Sequence, residues 1–281
     1  MNDKSVVTIT PGTGYGSGLN KIADYYPTRL IDVGIAEEHA LTFASGLSTS
    51  GIHPIICIYS TFLQRAYDEL SHDLARMDLN ATILVDRAGL VGNDGDTHQG
   101  IYDEAFLYSI PNVVITMPAN TLDAQYLFDQ SFESHGPFVV RFPREDIKPN
   151  QLIYPFKYGK AIKLREGKKT AVVSVGPVIQ DILERMDEEK KEFTLYNSLF
   201  IKPIDLEMVK ELTGYDKVII YDVYGTKEGL ALHVIEALNN LGYKGEIKTL
   251  CVPDTFVKQA SIKQQREELH ISLEDLFREI I

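Results

Sequence analysis

Residues 32–40 read DVGIAEEHA, residues 59–70 read YSTFLQRAYDEL and residues 86–100 read DRAGLVGNDGDTHQG. Each string begins at the end of an apolar, strand-like run (RLIDVG, HPIICIYS and ATILVDRA) and continues into a helical pattern or a glycine loop. Core packing asks for no such density of carboxylates, arginines, histidines and aromatic rings at strand ends. Ligand binding does, because the ligands of parallel α/β sheets collect at the carboxyl ends of the strands. The runs themselves are apolar on both faces, as the strands of a buried parallel sheet must be.

Outward from these strings the same alternation continues. VVTITP opens the chain as a strand, followed by a glycine-rich turn and a helix to Tyr25. A helix is expected from about Ala36 to Ser48, a long one from Thr61 to about Met77, and a short one from Tyr102 to Tyr108. VVITMPA, a helix opening near Thr121 with Asn120 as its N-cap, and FVVRFP complete a six-stranded set. The stretch EDIKPNQLIYPFKYG has two prolines and no period, and reads as a linker over 146–159. Beyond it TAVVSVG, FTLYNSL, KVIIYDV and EIKTLCV read as the strands of a second unit. Helices lie between them at about Val178 to Glu188, Asp205 to Leu212 (Asp205 the N-cap) and Glu228 to Leu241, and LEDLFREII forms a terminal amphipathic segment. The expected fold class is therefore α/β: two consecutive domains, 1–145 and 160–281, with mostly parallel sheets.

Composition narrows the function. With 281 residues, 44% hydrophobic and 24% charged, the chain is long and apolar enough for two packed domains. A net charge of −12 without a basic stripe argues against a nucleic-acid surface, though a local cationic pocket remains open. Cys57 and Cys251 lie in apolar runs with neither metal nor disulfide spacing, which suits a reducing cytoplasm. No run of about eighteen apolar residues is present to span a membrane.

Several single residues stand out. Glu37 follows a strand and opens a helix, where backbone N–H groups favour an anion; an ordinary helix-start carboxylate would also sit there. Tyr59, Phe62 and Arg65 form an aromatic and cationic cluster, equally readable as a strand end and a helix face. Asp68, His72 and Arg76 recur every four residues and read as an ion-paired helix face. Arg87 and Arg144 each end an apolar strand; a lone strand-end arginine is commonly a surface salt bridge, whereas a pair suits a phosphate. The loop Gly89–Gly100 carries Asp94, Asp96 and His98. Its glycines do not match a calcium loop, and one histidine does not make a zinc site, so a polar turn is the plain alternative.

Taken together the three strings resemble the pyrimidine-binding domain of thiamine-diphosphate enzymes, most closely the 1-deoxy-D-xylulose-5-phosphate synthase family. The resemblance covers nearly the whole chain, with a transketolase-type C-terminal domain after the linker. It implies that Glu37 is catalytic, hydrogen-bonding N1′ of the cofactor aminopyrimidine from a water-poor pocket and tuning its tautomer. Glu38 then stands where the family has glutamine. It implies that Phe62 stacks on the pyrimidine ring, that Tyr59 and Arg65 line the cofactor and substrate pocket, and that Arg87 and Arg144 bind the phosphate of glyceraldehyde 3-phosphate. Asp94 and His98 would contact the substrate hydroxyls and carbonyl, with His98 a proton shuttle. The implied reaction joins a two-carbon unit from pyruvate to glyceraldehyde 3-phosphate. The implied partner is an N-terminal half carrying the GDG…N motif that holds magnesium and the cofactor diphosphate, and the implied assembly is a homodimer.

The chain's own NDG at 93–95, with Asn120 downstream, imitates that motif only superficially, so no metal ligand is assigned and the chain alone is expected to be inactive. The resemblance loosens after the linker, where the family's glycine-rich turn appears as Gly225-Thr226-Lys227-Glu228-Gly229 and its next motif as Phe256-Val257-Lys258-Gln259-Ala260. Those changes leave open whether the second domain reaches the site. A transketolase C-terminal section, a 2-oxo-acid dehydrogenase beta-type subunit and a non-catalytic dimerisation module of the same fold are the alternatives. Gly12, Gly14, Gly16 and Gly18 do not give a dinucleotide fingerprint, and Gly46–Ser50 lacks the last glycine of a nucleophile elbow. EGKKT at 166–170 is no P-loop and reads as a hairpin turn.

Overall fold

The computed structural model describes residues 5–145 and 154–280. The first unit runs β1 (Val6–Thr10), α1 (Asn20–Tyr25), β2 (Leu30–Asp32), α2 (Glu37–Thr49), β3 (His53–Tyr59), α3 (Ser60–Leu63), α4 (Tyr67–Glu69), β4 (Ala81–Asp86), α5 (Asp103–Tyr108), β5 (Val114–Thr116), α6 (Thr121–Glu133) and β6 (Pro137–Arg141). The second runs β7 (Ile162–Arg165), β8 (Thr170–Ser174), α7 (Val178–Glu189), β9 (Thr194–Asn197), β10 (Phe200–Lys202), α8 (Leu206–Leu212), β11 (Lys217–Thr226), α9 (Leu230–Asn240), β12 (Glu246–Val252), α10 (Ile262–Glu268) and α11 (Leu273–Glu279).

Strands β1, β3, β4 and β6 are parallel neighbours and nearly all of their residues are buried, which is what their two-faced apolar sequences demand. On α2 the buried residues are Glu37, Ala40, Leu41 and Ala44, one helical stripe at i, i+3, i+4 and i+7, with Glu37 at its first turn. Asn120 caps α6 by accepting from the Leu122 and Asp123 N–H groups, and Asp205 caps α8 through Glu207 N–H. The larger apolar core runs from Ile9 in β1 through Ile219 in β11 to Leu276 in α11, so both units contribute to it, and a smaller cluster gathers Leu127, Phe138, Ile162 and Phe200.

Five expectations need correction. The first sheet has seven strands, in the order β10-β5-β6-β4-β3-β1-β2, because β10 crosses over and pairs antiparallel with β5. The second sheet has five, β12-β11-β8-β9-β7, and β7 pairs antiparallel with β9. The turn at 166–170 therefore makes no hairpin: β9 lies between β7 and β8. The long helix from Thr61 is instead a broken path, α3, a 3₁₀ turn at Gln64–Ala66, α4 and a π-helical turn at Leu70–Ala75. The changes of pitch keep Leu63, Ala66, Leu70, Leu74 and Ala75 all in the core while turning Arg65 outward.

Arg144 does not end a strand. β6 stops at Arg141, and Arg144 lies three residues beyond it with a side chain 42% exposed. Most of the expected linker, residues 146–153, lies outside the described residues. Its far end is packed: the Tyr154 hydroxyl donates to Asp123 Oδ1 at 2.6 Å and Phe156 stacks on Tyr126 at 4.3 Å between ring centroids.

Candidate active site

The side chains singled out in the three strings meet at the carboxyl ends of β1, β3 and β4, which are adjacent in the sheet. Tyr59 is the last residue of β3, Arg87 follows β4, and Glu37 opens the helix after β2. Parallel strands all deliver their carboxyl ends to one rim, so residues far apart in sequence converge there.

They form one connected chain of contacts. Glu37, only 2% exposed, accepts from Arg65 Nη1 at 2.8 Å. The Arg65 guanidinium lies 5.0 Å over the Phe62 ring. Phe62 stacks on Tyr59 at 5.6 Å and meets the His98 ring edge-on at 5.4 Å. Arg87 lies 4.5 Å over the opposite aromatic partner, Tyr59. Asp94 joins both arginines, one carboxylate oxygen to each: Oδ2 is 3.3 Å from Arg87 Nε and Oδ1 is 3.0 Å from Arg144 Nη1. His98 Nδ1 is 3.0 Å from Thr97 Oγ1. The outlying members of the sequence reading, Asp68 and His72, pair with each other at 2.7 Å on an exposed surface and take no part.

The chemistry available is thus a buried carboxylate next to a half-buried aromatic face, then a cationic pocket for an anion. Burial pushes the Tyr59 phenol above its ordinary range, with Arg87 pulling the other way, so its hydroxyl keeps its proton near neutral pH. Asp94 fixes the spacing of the two guanidiniums, and with Asp86 also paired to Arg87 the two arginines are balanced by two carboxylates, so an anion would be held by directed N–H donors more than by net charge. Among the described residues no cluster of three or more His, Cys, Asp or Glu side chains could hold a metal ion. No helix among them is long and apolar enough to cross a membrane.

The second unit does reach this rim. Gln259 Nε2 donates to Asn93 O at 3.0 Å, Gln99 Nε2 to Val257 O at 3.4 Å, and Gly92 N–H to Gln265 Oε1 at 3.2 Å, so the 256–260 segment seats the Gly89–Gly100 loop. Deeper between the units is a charged cluster that sequence reading missed. Arg141, fully buried, donates to Asp103 through Nε (2.6 Å) and Nη2 (2.9 Å), to Tyr224 O at 3.0 Å, and to Glu104 through Nη1. Glu104 Oε2 also accepts from Leu230 N–H at 3.2 Å, at the start of α9. A Cβ on Gly225 would lie 2.7 Å from Glu104 Oε2 and 2.9 Å from Asp222 Oδ2, and one on Gly229 would lie 2.3 Å from Glu104 Oε2. The two glycines of the altered turn are thus the space into which the Glu104 carboxyl fits. The pair of glycines four apart was the signal available in the sequence.

Comparison with known proteins agrees with this architecture. Residues 1–149 match the transketolase pyrimidine-binding domain and residues 159–276 the transketolase C-terminal domain. The chain is 42% identical to 1-deoxy-D-xylulose-5-phosphate synthase of Brevibacillus brevis over 98% of its own length and 45% of that protein's. It is 36% identical to the synthase of Parabacteroides distasonis over 99% and 45%. The chain thus spans less than half the length of these curated relatives. Among solved structures, a split-gene transketolase chain described as an inactive β4 tetramer superposes with a TM-score of 0.84 at 24% identity, covering 98% of this chain and 90% of that one. With its fold, its rim of strand-end residues and these matches in hand, the chain belongs to the transketolase pyrimidine-binding domain family, followed by a transketolase C-terminal domain.

Proposed function

We propose that this chain is the C-terminal part of a thiamine-diphosphate-dependent 1-deoxy-D-xylulose-5-phosphate synthase, which decarboxylates pyruvate and joins the two-carbon unit to glyceraldehyde 3-phosphate. The observation that carries the reading is the unbroken run of contacts from Glu37 through Arg65, Phe62, Tyr59, Arg87 and Asp94 to Arg144 along one sheet rim. The residues fit the pyrimidine end of the cofactor: a carboxylate 2% exposed at the start of α2, linked through Arg65 to the half-buried Phe62 ring. They offer no donor set for its diphosphate and metal, which are assigned to an N-terminal portion with magnesium.

Thiamine diphosphate, when bound, supplies the carbanion chemistry for decarboxylation and carbon–carbon bond formation. Glu37 would hydrogen-bond the edge of the pyrimidine ring, with Arg65 orienting its carboxyl. Phe62 presents a stacking face worth about 0.5–1.5 kcal/mol beyond its burial. Arg87, Arg144 and the Tyr59 hydroxyl hold the acceptor's phosphate. Asp94 and His98 face the acceptor's hydroxyls and carbonyl, with His98 as the proton shuttle. A homodimer in the cytoplasm, divided into domains at 1–145 and 160–281, completes the proposal.

The test is a coupled condensation assay with pyruvate, glyceraldehyde 3-phosphate, thiamine diphosphate and magnesium, with and without a separately expressed GDG-containing half. Product is expected only with both halves and is expected to vanish with Glu37→Ala. No product from folded, associated halves would overturn the synthase reading, and full activity of the variant would remove Glu37 from the mechanism.

A further inference from the structure

Arg87 is held more firmly than a phosphate-binding arginine at a loop mouth needs to be by packing alone. Its backbone is left-handed, with φ of 61°, a conformation that costs a side-chain-bearing residue about 1–2 kcal/mol. Its carbonyl is crowded as well: a Cβ on Gly100 would lie 1.8 Å from Arg87 O, so the opposing strand of the loop is pressed against it. Something must offset that cost, and the neighbouring carboxylate does.

Asp86, the last residue of β4 and 2% exposed, spends both oxygens on Arg87. Oδ1 accepts the Arg87 backbone N–H at 2.7 Å, and Oδ2 accepts Nη1, also at 2.7 Å. Backbone and head group are thereby clamped by one side chain. Nη1 donates in addition to Gly16 O at 3.0 Å, and Nε points at Asp94. Nη1 and Nε are thus engaged inside the protein and the guanidinium face is laid on Tyr59, which leaves Nη2 for an incoming anion.

We propose that Asp86 is the positioning residue for Arg87, fixing its strained backbone and its guanidinium plane so that Nη2 is presented to a phosphate before any ligand arrives. This rests on the reading of Arg87 as a phosphate ligand. Asp86 touches no substrate itself; it acts by removing the ordering cost that a free arginine would incur on binding. Burial pushes the Asp86 carboxyl above its ordinary range, against the pull of Arg87, as expected of a carboxylate enclosed with a single cation.

The probe is sn-glycerol 3-phosphate titrated into the full chain and followed by NMR of backbone amides and arginine Nε–H signals. Asp86→Asn keeps an acceptor for the Arg87 N–H but sets an amide donor against Nη1. It should weaken binding about tenfold and make the Arg87 Nε–H signal behave more like those of exposed arginines, and it should lower the melting temperature because a buried ion pair is broken. Arg87→Met should weaken binding at least as much. If Arg87→Met binds like the wild type, the phosphate reading fails and takes this inference with it. If Arg87→Met is weakened and Asp86→Asn is not, the Asp86 role alone is overturned. Should Asp86→Asn fail to fold, the wild type still decides: Arg87 guanidinium rotation as fast as that of exposed arginines would overturn the clamp.

Discussion

Gly16 sets how closely the chain after β1 approaches Tyr59. A Cβ there would lie 2.0 Å from the Tyr59 hydroxyl oxygen, 3.3 Å from its Cζ and 3.6 Å from Arg87 Nη2. Tyr59 is a stiff side chain at a strand end, so Gly16→Ala must tilt its ring and disturb both the stack on Phe62 and the seat of Arg87. Because Gly16 is itself exposed, the loop absorbs the change without unfolding. We expect glycerol 3-phosphate affinity to fall about tenfold in a calorimetric titration, with stability changed by less than about 1 kcal/mol, as for surface sites. Wild-type affinity would show that Tyr59 and Arg87 do not depend on this close approach. At this scale the sequence was informative inside the quoted strings, since strand ends and helix starts are readable: Tyr59 ends β3, Arg87 follows β4 and Glu37 opens α2. It misled at VVRFPRE. Arg141 and Arg144 are alike in type, and which one turns inward is decided by Asp103 and Glu104, whose positions no local pattern reveals.

β10 shows the same limit one level up. Phe200-Ile201-Lys202 is too short to carry a period, and its partner β5 lies 84 residues earlier by the Phe200–Thr116 pairing. It belongs to the second unit by sequence and to the first sheet by hydrogen bonding, so it is a seam. Phe200, 1% exposed, packs edge-on against Phe138 at 6.4 Å and against Tyr158 at 5.2 Å. Removing the ring should cost about 3–5 kcal/mol, the usual range for a buried Phe→Ala. Urea unfolding of Phe200→Ala is expected to show that loss and to split one transition into two as the units uncouple. A loss under about 1 kcal/mol with one transition retained would mean that the shared core alone joins them. The broken path from α3 to the π-helical turn was hidden for a related reason. Its apolar spacing is compatible with an ordinary helix, and only the demand to place Arg65 against Glu37 shows why the pitch changes.

Across the whole molecule the two units are locked by charge as well as by apolar burial. Asp103, Glu104 and Asp222 surround one arginine, Arg141, and all four are 0% exposed, so three ionised carboxylates would leave the cluster at −2. Burying uncompensated charge is costly, and the folded protein avoids it by keeping a proton. Burial pushes both Glu104 and Asp222 upward, with Arg141 pulling down and the two carboxyls raising the Glu104 value further. The folded state therefore binds more protons than the unfolded chain. Stability contributed by this pair is present at low pH and is lost as pH rises from the ordinary carboxylate range through the raised folded values. Asp222→Asn tests this directly. Its Oδ1 can still accept Tyr224 N–H, which Asp222 holds at 2.9 Å, while the new amide turns a donor toward Glu104. The variant should melt on the order of 2–4 °C above the wild type near pH 8, a shift matching about 1 kcal/mol. The two melting curves should converge as the pH is lowered into the ordinary carboxylate range, where holding that proton no longer costs the wild type stability. A variant that melts lower at pH 8 would mean that Asp222 is ionised and needed so. The lock would then be an ion pair, and the glycine space at 225 and 229 would be shielding a charge instead of housing a shared proton.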